Sequence, residues 1–161
     1  MESPCTPTVT LTWSEVFTAA FVGIVRQVQN LQKGRRDAHG AATRDGWQLH
    51  VEGALGESVV AKHLGHYWNG HFGDLDAKDV GKLQVRTSEG ENNRLILHET
   101  DPDDVIYVLV VGSPPRYRIA GWIKGRDGKQ NAYWTDPRGN RPAYFVPRHA
   151  LRPMSEIRQA A

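Results

Sequence analysis

The run Val105-Ile-Tyr-Val-Leu-Val-Val111 constrains the fold of this chain more than any other stretch. It is unbroken, apolar and mostly β-branched. A strand with one wet face alternates apolar and polar residues; a run without alternation predicts a central strand covered on both faces. Further strand signals fall at 82–87, 95–98, 117–124 and 143–146, with turns at Asp101-Pro-Asp-Asp104 and Ser113-Pro-Pro115. Residues 126–142, rich in Gly, Asp, Asn, Arg and Pro, read as a long surface loop, and 147–151 as a helical turn.

The first half of the chain has a different period. Thr12-Trp-Ser-Glu15 has the spacing of a capping box. Val16, Phe17, Ala20, Ile24, Val28 and Leu31 then recur at helical spacing up to a stop at Gly34. A second helix is expected over 47–64, with Glu57, Val60, Ala61 and Leu64 on one face. Helix, helix and then a largely consecutive sheet is an α+β order. The boundaries expected are a leader at 1–11, one domain at 12–153 and a tail at 154–161.

Composition narrows the function classes. The chain has 161 residues, 39% of them hydrophobic and 24% charged, which suits one domain with a real core. No apolar run approaches the roughly 20 residues that span a bilayer, and the N-terminus lacks the order of a secretory signal. A cytoplasmic protein with no membrane partner is the expectation. One cysteine, Cys5, excludes an internal disulfide framework and a Cys-rich zinc site. The net charge of +2 announces no partner, but bases cluster at 33–44 and 116–152. No P-loop, dinucleotide fingerprint or nucleophile elbow is present.

The chemistry concentrates in Asp79-Val-Gly-Lys-Leu-Gln84-Val-Arg86. On a strand, Leu83 and Val85 would point into a core while Gln84 and Arg86 share the other face. Two oxygen donors beside a fixed cation suit a Mg²⁺ site acting on a phosphate. Gly81 would supply the bend that the short Asp-to-Gln interval needs; Asp74 and Asp76 offer a longer interval. Upstream, Glu57 carries a carboxylate within an apolar helical stripe. Glu57, Asp79, Gln84 and Arg86 together resemble the core motif of the PD-(D/E)XK nuclease superfamily, a helix glutamate followed by D…(E/Q)-x-K, over residues 46–125.

That resemblance implies a restriction-endonuclease-like fold, a mixed β-sheet flanked by helices, and a Mg²⁺-dependent DNA nuclease, with Mn²⁺ as the alternative ion. It implies Glu57, Asp79 and Gln84 as metal ligands and Arg86 as the fourth catalytic residue, in phage or mobile-element DNA processing. Two departures stand out: Gln84 replaces an acid, and Arg86 replaces lysine, which removes a general base because guanidinium stays protonated. The rival is a non-catalytic nucleic-acid-binding or protein-interaction module on a degenerate nuclease fold. DNA contacts are expected from Arg35, Arg36, Arg44, Lys82, Lys124 and Arg126. Tyr133 and Trp134 are candidates for base stacking. A homodimer is compatible with the chain.

Overall fold

The computed structural model of the chain describes residues 6–34, 45–71 and 78–159. Two long helices come first, α1 (Trp13–Gln32) and α2 (Gly46–Leu64), after a short strand β1 (Thr8–Thr10). Strands β2 (Leu83–Ser88), β3 (Leu95–Leu97), β4 (Ile106–Ser113) and β5 (Arg116–Lys124) follow, then a single turn α3 (Gly125–Gly128), β6 (Trp134–Thr135) and β7 (Ala143–Val146). The molecule is mixed α and β, as its element order predicts.

Local chemistry starts and stops the helices. The Thr12 hydroxyl accepts from Glu15 N at 3.2 Å, and Thr12 N donates back to the Glu15 carboxylate at 2.7 Å, closing a capping box. Asp45 caps α2 by accepting from Trp47 N at 3.1 Å. Gly65, at φ +67°, ends α2 in the left-handed conformation that glycine adopts without steric cost.

The main sheet has the order β1-β5-β4-β2. β2 and β4 are parallel, with Leu83 opposite Ile106 and Ser88 opposite Val111. β4–β5 and β5–β1 are antiparallel. β4 is the central strand that the 105–111 run demands. Ile106, Val108 and Val110 face one core, shared with Leu55, Val59, Val60 and Ala61 of α2. Tyr107, Leu109 and Val111 face a second core, with Leu95, Leu97 and Val146 from a small sheet ordered β3-β7-β6. The layers are thus helices, main sheet and small sheet.

Three segments differ from expectation. Thr8–Thr10, within the expected leader, pairs with β5 as an edge strand. Met154 and Ile157, within the expected tail, are buried in the helix-side core. Residues 126–142, expected to be loop, contribute α3 and β6.

Candidate active site

Glu57 lies in the middle of α2, where residues 54–61 are all buried, and is itself buried. Burying a carboxylate is costly unless it is paired and hydrogen-bonded. Arg26 of α1 does both: Nη1 donates to Oε1 at 2.6 Å and Nη2 to Oε2 at 2.9 Å, while Trp68 Nε1 donates to Oε2 at 3.1 Å. Arg26 is itself held by the His71 carbonyl, through Nε at 3.0 Å and Nη2 at 2.9 Å. A fork of this kind is the strong form of a carboxylate–guanidinium pair. Removing one partner from such a pair strands a buried charge, at a cost of about 3–5 kcal/mol.

Asp79 sits just before β2, which is an edge strand. Gly81, at φ +57°, turns the chain so that 79–83 folds back on the start of β2. Asp79 N and Val80 N donate to Leu83 O, and Leu83 N donates to Val80 O. The Asp79 carboxylate accepts from Val85 N through Oδ2 at 2.6 Å, so it lies against the Gln84–Val85 peptide. Its pKa is pushed up from 3.8 to about 6, first by burial and then by the negative charge of Glu57. The Val85 hydrogen bond and the cations Arg86 and Arg26 offset part of that rise. Asp79 therefore lies within electrostatic reach of Glu57, Arg86 and Arg26 together.

Gln84 and Arg86 emerge on the small-sheet face, because Leu83 and Val85 occupy the helix-side core. Arg86 Nη2 contacts both oxygens of Asp101, at 3.1 and 3.2 Å, and its guanidinium stacks 5.2 Å from the centre of the Tyr107 ring. Burial alone would raise the pKa of Asp101. Hydrogen bonds from His98 and the charge of Arg86 outweigh it and hold the carboxyl well below the usual carboxylate range. Tyr107 is pushed up to about 12 by burial and then by Asp101. Arg86 is thereby held as a cation on the small-sheet face, between Asp101 and the Tyr107 ring.

Glu57 and the Gln84–Arg86 pair thus approach from opposite faces of β2, and Asp79 at its edge is the residue between them. Among the described residues, no three His, Cys, Asp or Glu side chains form a group that can hold a metal ion. Oxygen donors for a hard cation are Asp79, whose Oδ1 is not committed to Val85, and the Gln84 amide oxygen. These two fit the chemistry of Mg²⁺ or Mn²⁺. Glu57 has both oxygens bonded, and its ligation of a metal would require Arg26 or Trp68 to release one.

The expected DNA-contacting residues divide by location. Lys82 is exposed beside Asp79. Lys124 pairs with Ile106, which in turn pairs with Leu83, so Lys124 ends β5 at the end of the sheet where β2 begins. Arg126 is exposed on α3 just beyond it. Arg35, Arg36 and Arg44, with Asp74 and Asp76, lie outside the described residues. Trp134 packs its ring 4.7 Å from that of Tyr144, and Trp122 is buried with its Nε1 on Pro153 O at 3.0 Å.

Sequence reasoning missed Arg26, Trp68, Asp101 and Tyr107. Arg26 had a signal: it is the one base in the uncharged stretch between Glu15 and Lys33. Comparisons with protein families, with curated proteins and with solved structures find no match to this chain.

Proposed function

We propose that this chain is a divalent-metal-dependent nuclease acting on DNA, on a restriction-endonuclease-like core, with Asp79 at the centre of its site. The observation that carries this reading is the electrostatic position of Asp79. A residue needed only to cap Val85 N–H would serve as asparagine, without the penalty of a charge opposed by burial and by Glu57. A carboxylate kept under that strain, beside a second acid and a fixed cation, is characteristic of a functional site. When bound, Mg²⁺ or Mn²⁺ supplies Lewis-acid stabilisation of the phosphate and a water of lowered pKa. Asp79 and Gln84 would hold it. Arg86, permanently charged, positions the scissile phosphate and cannot act as the base. Glu57, steadied by Arg26, sets the negative potential around Asp79. Lys82, Lys124 and Arg126, joined by Arg35, Arg36 and Arg44, contact the DNA backbone. The setting this reading implies is cytoplasmic, in phage or mobile-element DNA processing.

The test is cleavage of single- and double-stranded DNA with Mg²⁺, Mn²⁺ or EDTA. The wild type should cut with a divalent ion and not with EDTA, and Asp79→Asn should lose activity by about two orders of magnitude or more. Gln84→Glu adds a negative ligand, so the metal concentration for half-maximal activity should fall. A wild type and a Gln84→Glu variant both inert with every ion would overturn the proposal. A second reading, a DNA-binding module without catalysis, has its own support: Glu57 and Arg86 are already committed to Arg26 and Asp101. DNA binding with no cleavage in either protein would establish it.

A further inference from the structure

α1 buries one face and leaves another bare. Ala19, Val22, Gly23 and Gln27 are buried, and Gly23 lies so close to α2 that a Cβ there would be 2.5 Å from Val51 Cα. On the side away from α2, Trp13 is 71% exposed, Phe17 76%, Phe21 59% and Leu31 59%, with Ile24 and Val28 between them. A soluble monomer rarely exposes a contiguous apolar patch beyond a few hundred Å². Taking about 150–250 Å² for each fully exposed aromatic, this stripe presents on the order of 600–700 Å².

The spacing of the stripe names its partner. Phe17, Phe21, Ile24, Val28 and Leu31 are separated by four, three, four and three residues, the alternation of a coiled-coil seam rather than of a surface meant for a flat partner. The positions flanking the seam are Thr18, Val25 and Gln32 on one side and Ala20 on the other, where Gln27 is turned in against the start of α2. None is charged. The only charged residues of α1, Glu15 and Arg26, are turned to Lys62 and Glu57. Nothing therefore repels an identical helix, and no flanking charge selects a different one. A membrane surface fits less well, because interfacial helices carry Lys and Arg beside the apolar face.

We infer that α1 is the interface of a homodimer, in which two copies of this chain pair along the Phe17–Leu31 seam. Two such stripes would bury about 1,200–1,400 Å², within the range of specific stable interfaces. An antiparallel pairing fills the seam best. It sets the bulky Trp13 and Phe17 of one chain against the smaller Val28 and Leu31 of the other, and opposes the two helix dipoles.

Sedimentation velocity of the full chain over a range of micromolar concentrations tests this. The wild type should run at twice the chain mass. Phe17→Glu with Phe21→Glu, both at exposed positions, should run as a monomer with an unchanged far-UV spectrum. Ile96→Glu, at an exposed site on β3 of the small sheet, should remain a dimer. A wild type that stays monomeric at the highest concentration overturns the inference, as does one that stays monomeric but sediments with anionic lipid vesicles. A dimer that survives the double Glu substitution overturns it equally. None of these outcomes depends on nuclease activity.

Discussion

At neutral pH Asp79 carries a charge that its surroundings resist, and the sign of that resistance is measurable. A carboxyl with a folded pKa raised from 3.8 to about 6 binds a proton in the folded state that the unfolded state has lost. Stability therefore falls as pH rises through that window, and the penalty is complete above it. Asp79→Asn keeps an oxygen for Val85 N–H and removes the charge. It should stabilise the protein at pH 7.5 by about 1–2 kcal/mol, a rise in Tm of roughly 2–4 °C per kcal/mol. Thermal melts of both proteins from pH 4 to 8 check this: the two curves should converge toward the acid end. Equal melting temperatures at pH 7.5 would mean that the carboxylate is under no strain. Under the proposed nuclease reading, the same substitution should lower cleavage by about two orders of magnitude or more, so stability and activity would move in opposite directions. Asp79, Gln84 and Arg86 were legible because they sit within eight residues of one another. Their partners were not. Arg26 reaches Glu57 across 31 residues and Asp101 reaches Arg86 across 15, and only the packing of α1 on α2 and the turn after β3 bring them together.

Between elements, the tightest joint is α2 on β2. A Cβ on Gly56 would stand 1.8 Å from the Thr87 hydroxyl oxygen, far inside van der Waals contact. Thr87 is β-branched and its Oγ1 is buried without a hydrogen-bond partner among the described residues, so it has little room to yield. Gly56→Ala, which would help an isolated helix, should here destabilise by about 1–3 kcal/mol, measured by urea denaturation. Gly53→Ala, with nothing near its position, should be neutral or mildly stabilising. The pair separates helix propensity from packing within one turn. Both glycines read alike in the sequence, since each interrupts a helical stripe, and only the position of β2 tells them apart. The capping box of α1 and the central strand were legible because their signals are local. β1 was not, because three residues carry no period and owe their conformation to β5. The stripe of α1 had the right period, but helical spacing reports that a face is apolar, not what covers it.

Across the whole molecule, a net charge of +2 hides a local grouping of bases. Lys82, Lys124 and Arg126 gather at the end of the main sheet where β2 begins, where Arg126 also lies 4.0 Å from Asp104. If this end receives DNA, affinity should fall steeply between 50 and 200 mM salt, and Lys82→Ala with Arg126→Ala should lower the slope of log K against log salt by about 1–2, roughly one per phosphate contact. Fluorescence anisotropy on a labelled duplex measures it, and a salt-independent affinity would remove DNA from the partner list. The edges of the same sheet decide another property. β1 is only three residues long, and the outward amides of Leu83 and Val85 on β2 are closed by Val80 and by Asp79 from the same short turn. A strand from a neighbouring molecule would find the first two outward amides of β2 already closed and only a stub at β1. Because the cover on β2 comes from residues immediately before it, that protection can form with the strand itself during synthesis, before β4 exists to pair with it. The turn that carries Asp79 thus also shields the start of an edge strand from pairing with a strand of another molecule.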